Sequence, residues 1–313
     1  MLHIEENDLE FNIKTYNNLA PIKTKRQPLD SGYDLGDELG RGTQGVTYHG
    51  VERINGRNYA AKVMHGRGDL RPYMYNELDI MNQLRHRKLI SLHDAYETDD
   101  SLALIMELGG GGELVKDYLL KQDYYTESEI SGYIRQLLWG LKYMHEKGIG
   151  HMGLNIGDLL LSHPGSDDLK ITDFSLSRRI SMGRLFPLKY GVPEYVSPEC
   201  AKGEGVGLGH DMWSVGIITY ILLSGISPFR GERDRETLYK IQEGKWTFDE
   251  TWWRNISVEA RDFISKLLIY QAEGRMDVHA ALRHPWIERA DKIRSDDFLI
   301  SSKFLRDYFV LYR

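Results

Sequence analysis

His151-Met152-Gly153-Leu154-Asn155-Ile156-Gly157-Asp158-Leu159-Leu160, followed a short way on by Asp173-Phe174-Ser175, decides how this 313-residue chain is read. Gly153 brings no side chain to the middle of the stretch. Asp158 and Asp173 bring carboxylates, oxygen ligands of the kind that hold hard cations. The rest of the chain supplies the context in which such a loop has a meaning.

Composition sets wide bounds. The length allows one large domain or two modest ones with a sizeable core. An apolar fraction of 41% and a charged fraction of 27% are ordinary for a globular protein. A net charge of -6 and a pI near 6.0 argue against nucleic acid or an anionic membrane as the main partner. The single cysteine, Cys200, excludes an internal disulfide and suits a reducing cytosol. The amino terminus has no basic and apolar pattern of a signal peptide, and the longest apolar run, Val215 to Leu223, is too short to span a bilayer.

Residues 1–32 show neither helical nor alternating periodicity and read as a linker or docking arm. From Tyr33 the pattern changes. Leu35 to Val51 alternates as two strands joined by a glycine-rich turn, Asn55-Gly56 signals a hairpin, and Asn58 to Met64 is a further strand. Pro72 to Arg85 reads as a helix with Met74, Leu78 and Met81 at helical spacing. Strands follow near Leu89 to Tyr96 and Leu102 to Glu107, and Gly109 to Gly112 reads as a flexible hinge. Beyond it the composition turns helical. Thr126-Glu127-Ser128-Glu129 is a capping box opening a helix with Ile130, Ile134, Leu137, Leu141 and Met144 on one face. The helix that begins at Asp211 is apolar all round and therefore buried. Val258 to Leu268 and Asp277 to His284 are amphipathic helices, and Phe298 to Tyr312 reads as one more, with Phe304, Leu305, Tyr308 and Leu311 as its apolar stripe.

Gly40-Arg41-Gly42-Thr43-Gln44-Gly45 fits G-x-G-x-x-G, a string that a dinucleotide fold also uses. Here it lies between two strands instead of opening a helix, which favours a phosphate-covering hairpin. Ala60-Ala61-Lys62 on the next strand and Glu77 on the following helix are each commonplace residues. Their order along one chain, strand lysine, helix glutamate, hinge, quoted loop and Asp173, is not commonplace.

In frame and spacing these stretches resemble the protein-kinase family. The first quoted stretch is similar to the catalytic loop HRDLKPENLL, Asp173-Phe174-Ser175 to the Asp-Phe-Gly metal site, and Ser197-Pro198-Glu199 to Ala-Pro-Glu, with Arg275 where the partner of that glutamate lies. Asp211 and His284-Pro285-Trp286 also match. Met81 to His86 and Gly110 to Leu114 resemble the myosin-light-chain-kinase-like group. The nearest look is the kinase domains of the giant muscle proteins titin, twitchin and, above all, obscurin, and Ser301 to Tyr308 is similar to the helix that follows obscurin-type domains.

The resemblance implies an α+β, two-lobed protein-kinase fold: a small antiparallel β-sheet lobe (33–108), a larger helical lobe (109–289) and a helical carboxy-terminal extension (290–313). It implies that Leu39, Gly40, Gly42 and Gly45 cover a nucleotide, that Lys62 reaches its first two phosphates from a pair with Glu77, and that Asp173, with Asp158, holds magnesium. The resemblance also implies that Met106 falls at the back of an adenine pocket, with Glu107 and Leu108 as hinge residues. The departures fall where the chemistry is done. Gly153 stands where the family has its proton-accepting Asp, Asn155 where it has the phosphate-neutralising Lys, Asp158 for Asn, Met152 for Arg, and Ser175 for Gly.

Two functional classes compete on that loop. General-base catalysis is worth about 10²–10⁴-fold, and here a stabilising lysine is lost as well from a reaction that depends on positioning and electrostatics. The expectation is a pseudokinase, not an enzyme. It would serve as a protein-binding scaffold inside a larger cytoskeletal muscle protein, cytoplasmic and sarcomeric, and hold ATP with magnesium weakly or not at all. Its partners would be cytoskeletal or signalling proteins, an active kinase among them, with no nucleic acid and no membrane. The alternative is a weakly active ATP-dependent Ser/Thr protein kinase. With Met152 in place of the anchoring Arg, phosphorylation at Ser175, Ser177, Ser181 or Tyr190 is not expected to switch on catalysis.

Overall fold

The computed structural model of the chain describes residues 20–42, 44–66, 71–180, 185–188, 191–288 and 299–311. The chain divides into two compact units. The first runs to Gly110 and takes back Lys170–Ser175, and the second holds Gly111–Leu169 and the chain from Leu176 onward.

The first unit is built on a six-stranded sheet of β1 (Lys25–Arg26), β2 (Tyr33–Arg41), β3 (Val46–Glu52), β4 (Asn58–His65), β5 (Leu92–Glu97) and β6 (Ser101–Met106), in the order β1-β5-β6-β4-β3-β2. Pairing is antiparallel throughout except for β1, which runs parallel to β5. Gly56, at φ 69°, closes the β3–β4 turn and donates its N–H to Glu52 O at 2.8 Å. One face is closed by Tyr33, Ala61, Tyr96, Ala103 and Ile105, with Tyr33 edge-on to both Tyr59 and Tyr96. Helix α1 (Arg71–Gln83) turns Met74, Leu78, Ile80 and Met81 inward, and Glu77 with them.

The linker or docking arm carries β1 and a 3₁₀ turn at Leu29–Ser31. Two expectations shift here. The strand expected from Leu89 begins at Leu92, because Ile90 N–H and Lys88 O bond Ile171 instead, at 2.9 and 2.8 Å. The segment 170–175, far along the chain, belongs to this unit.

The second unit is helical. Thr126 and Glu129 form the capping box of helix Glu127–Glu146, whose Ile130, Ile134, Leu137, Leu141 and Met144 are fully buried. Glu127, on the same helix, accepts Trp286 Nε1 at 2.8 Å and Ser257 N at 2.9 Å, tying three helices to one buried carboxylate. Helix Gly209–Ser224 is buried along its length, as its all-round apolar sequence dictates, and ends at Gly225 in the left-handed region. The carboxy-terminal segment differs from a single helix. Leu299–Ser301 first pairs antiparallel with Tyr124–Thr126, and the helix is Ser302–Leu311. It buries Leu305 and Tyr308 and leans Phe304 edge-on against Trp252, with ring centroids 4.9 Å apart. Phe298, Tyr312 and the Leu311 side chain lie outside the described residues.

Candidate functional site

In the first unit, β4 lies between β3 and β6, with Lys62 in register with Thr47 and Leu104. Its Nζ donates to both Glu77 carboxylate oxygens at 2.8 Å and to Asp173 Oδ1 at 3.1 Å. Burial alone would lower the Lys62 ammonium. The charges of Glu77 and Asp173 and their hydrogen bonds outweigh it and hold the group above its ordinary value, so it stays cationic. Burial pushes the Glu77 carboxyl up, against the pull of Lys62. Asp173 is half exposed and sits at φ 58°, a left-handed conformation that an L-residue keeps only where its surroundings impose it.

The glycine-rich turn divides its labour. A Cβ at Gly40 would meet nothing within 4 Å and one at Gly42 only Gly45 O at 4.0 Å, so both face open space that a ligand's phosphates can approach. Gly45 is a packing glycine, since a Cβ there would run into the Val63 carbonyl. Gly42 N–H closes the turn on Gly45 O at 2.9 Å. Gln44 Nε2 reaches Ser175 O at 3.5 Å, while its Oε1 is buried with no hydrogen-bond partner among the described residues. Leu39 is about half exposed on β2, and Thr43 lies outside the described residues. Glu107, expected in the hinge, is held by Lys170, whose Nζ is 2.6 Å from Glu107 Oε1 and 2.9 Å from Arg87 O. Sequence reasoning missed Lys170, which sits on no motif.

In the second unit the loop from His151 hangs on Asp211. Its Oδ2 accepts His151 N at 2.8 Å and lies 2.8 Å from His145 Nε2, and its Oδ1 accepts Met152 N at 2.8 Å. Burial would raise this carboxyl, but the His145 hydrogen bond and the charges of His145, His151 and His210 bring it down to about 2. Met152 is held at φ 63° and fully buried, packed with Leu188 and Val206. An apolar cluster therefore fills the place where the family pattern has an arginine. Ser177 is buried with Oγ on His151 O at 3.1 Å, whereas Ser181 and Tyr190 lie outside the described residues.

Asp158 is not a freely presented ligand. Its Oδ2 accepts Asn155 N at 2.9 Å and Asn155 Nδ2 at 2.7 Å, and Asn155 Oδ1 accepts Gly157 N at 2.9 Å, a capping box around the turn Ile156–Asp158. Both carboxylates already accept hydrogen bonds, Asp173 Oδ1 from Lys62 Nζ and Ser175 N, and Asp173 fits a hard cation better because it is half exposed whereas Asp158 is buried. Among the described residues no group of three or more His, Cys, Asp or Glu forms a metal cluster. Arg275 forks onto Glu199 with two bonds of 2.7 Å, and although burial opposes it, this pair lowers the Glu199 carboxyl.

The chain is similar to known proteins over most of its length. A protein kinase domain model matches residues 33–287. A titin homolog of Caenorhabditis elegans is 40% identical over 260 residues, covering 83% of this chain and 1% of that protein. Human death-associated protein kinase 2 is 37% identical over 304 residues, 93% of this chain and 81% of the relative. Myosin light chain kinase 3 of Danio rerio is 36% identical over 297 residues, 93% of this chain and 42% of the relative. Among solved structures, the twitchin kinase region of C. elegans aligns with TM-score 0.85 and 34% identity over 99% of this chain and 56% of that one. The autoinhibited serine kinase domain of the giant muscle protein titin aligns with TM-score 0.80 and 30% identity over 91% and 88%.

The chain belongs to the protein kinase domain family, with the sheet-rich amino-terminal and helical carboxy-terminal lobes of the twitchin and titin kinases. It spans about 1% of the titin homolog and under half of myosin light chain kinase 3. These relatives support the muscle-kinase group and do not single out the obscurin type. They also correct the expectation that the chain is not an enzyme, because relatives matched over nine-tenths of it are named protein kinases. The physical reason is that a missing general base removes about 10²–10⁴-fold, a part of the rate enhancement and not the whole. Among the described residues no helix is long and apolar enough to cross a membrane.

Proposed function

We propose that this is an ATP-dependent Ser/Thr protein kinase domain of low turnover, carried within a larger cytoskeletal muscle protein and docking other proteins on its helical unit. The observation that carries the reading is the Lys62 ammonium, held by both Glu77 oxygens at 2.8 Å and by Asp173 at 3.1 Å. Such a pair delivers a fixed positive charge to nucleotide phosphates, and Gly40 and Gly42 leave room for them. Asp173 would hold magnesium, which supplies charge neutralisation on the phosphate oxygens.

Phosphoryl transfer proceeds largely through a loose transition state that asks the protein for positioning and electrostatics more than for covalent chemistry. Lys62 and Asp173 meet that requirement. Gly153 cannot accept the substrate hydroxyl's proton, so solvent takes it. Asn155 brings hydrogen bonds but no charge, so turnover falls below the roughly 1–100 s⁻¹ of typical kinases. Calorimetric titration of ATP with and without magnesium tests the reading. Magnesium-dependent binding that Lys62→Met and Asp173→Asn each weaken is expected. A wild-type chain that takes up no nucleotide overturns it.

A further inference from the structure

The helix that carries Glu77 is bonded directly to the arm near its carboxy-terminal end and, through Glu97 of β5, indirectly to the arm near its amino-terminal end. Near its carboxy-terminal end, Asn82 Oδ1 accepts Ile22 N at 2.7 Å and Asn82 Nδ2 donates to Ile22 O at 3.0 Å. A single carboxamide thus holds both main-chain groups of one arm residue, its donor and acceptor side by side as in a peptide group. Arg85 Nη2 adds a bond to Ala20 O at 3.0 Å. Toward the amino-terminal end, Tyr75 donates its hydroxyl to Glu97, and Glu97 is also the partner of Arg26 in the arm, at 3.0 Å from Nε. The arm is fixed between these points by β1, which pairs Lys25 with Tyr96 and Arg26 with Glu97, and by the ion pair of Lys25 with Asp94. Glu77 lies between the two grips, buried and bound to Lys62.

Resting on the nucleotide reading above, we propose that Asn82 is a positioning residue: by clamping α1 to the arm it sets Glu77, and through Glu77 the Lys62 ammonium, for the phosphates of a nucleotide. The surface ion pairs of Lys25 and Arg26 contribute little alone, being exposed on the basic side. The paired amide and the strand give the arm its hold. A shift of α1 separates Glu77 from Lys62 without touching the adenine end of the site, and this separates positioning from general stability.

The test compares wild type, Asn82→Ala and Asn82→Asp in the full chain. Binding of magnesium-ATP and of adenosine is measured by calorimetry, and hydrogen exchange is followed over residues 71–83. Asn82→Ala is expected to weaken ATP about three- to tenfold, as the loss of one or two net hydrogen bonds implies. Adenosine affinity stays unchanged and exchange in α1 quickens. Asn82→Asp, which keeps the acceptor, falls between. Equal loss of both ligands, or no loss of ATP, overturns the proposal. If the wild type binds neither ligand, the nucleotide reading fails and exchange alone decides: faster exchange confined to 71–83 sustains the clamp, and unchanged exchange refutes it.

Discussion

Leu176 closes the space in which a side chain at position 153 would stand: a Cβ on Gly153 would lie 3.0 Å from Leu176 Cδ1 and 3.2 Å from Leu176 Cβ. The absence of the carboxylate and the presence of the leucine are one structural fact. A restored Asp has to displace the Cδ1 end of the leucine and also its Cβ by a few tenths of an ångström, while Gly153 is not among the glycines at positive φ, so the backbone torsion does not resist.

Gly153→Asp is therefore expected to raise phosphoryl transfer by about 10²-fold or more, with a stability cost of about 1–3 kcal/mol from the tight contact. Combining it with Leu176→Ala removes the Cδ1 contact, the closer of the two, and lowers the cost. Single-turnover transfer to a Ser/Thr peptide library and urea melts of the same variants check both halves. Unchanged transfer in the double variant contradicts the assignment of position 153.

Lys62 and Glu77 form a buried pair, with side chains 11% and 1% exposed. Lys62→Met leaves the Glu77 carboxylate buried beside a thioether and should cost about 3–5 kcal/mol, whereas Lys62→Met with Glu77→Met should recover most of that loss. Denaturant midpoints of the two variants decide. A double variant no more stable than the single one means the pair is not buried as described.

Asp211 gives the loop a pH signature. Its carboxyl, held at about 2 in the fold against an ordinary 3.8, stabilises the folded state above about pH 4, and this contribution fades as pH falls toward 2. The difference corresponds to about 2 kcal/mol. Asp211→Asn should lose stability at pH 6 and show a shallower decline between pH 4 and pH 2 than wild type. Parallel acid profiles for the two proteins would exclude the network with His145, His151 and Met152 as its cause.

The carboxy-terminal helix is anchored by Tyr308, whose hydroxyl donates to Glu194 Oε2 at 2.7 Å beside Arg230 Nη1 at 2.8 Å from the same oxygen. Leu305 is fully buried against the helical unit. Tyr308→Phe should destabilise by about 1–3 kcal/mol and Leu305→Ala by about 2–5 kcal/mol. Hydrogen exchange over residues 302–311 should be slow in wild type. Exchange at the rate of free peptide there, with both variants melting like wild type, would show that the helix does not dock.

The elements were legible where periodicity and local chemistry agree. The Thr126–Glu129 box, the five buried residues of the helix it opens, and the all-apolar helix from Gly209 are local patterns that the fold had no reason to override. The order of Lys62, Glu77 and Asp173 was equally readable, because family spacing carries it. What was hidden depends on partners distant in sequence. β1 exists because Tyr96 and Glu97 offer an edge, and Leu299–Ser301 exists because Tyr124–Thr126 offers another. That Asn155 and Asp158 close a capping box around Ile156–Asp158 is likewise invisible in the motif spacing. Nothing in the sequence announces that Leu176 faces Gly153, or that Met152 packs into an apolar cluster with Leu188 and Val206.

The central claim, slow phosphoryl transfer from a retained lysine site, is tested most directly by single-turnover transfer of γ-labelled phosphate from magnesium-ATP to a Ser/Thr peptide library, comparing wild type with Lys62→Met. The account predicts label on peptide in the wild type, at a rate below that of typical kinases, and none above background in the variant. Equal incorporation by the two proteins, or none by either at saturating nucleotide, would contradict it.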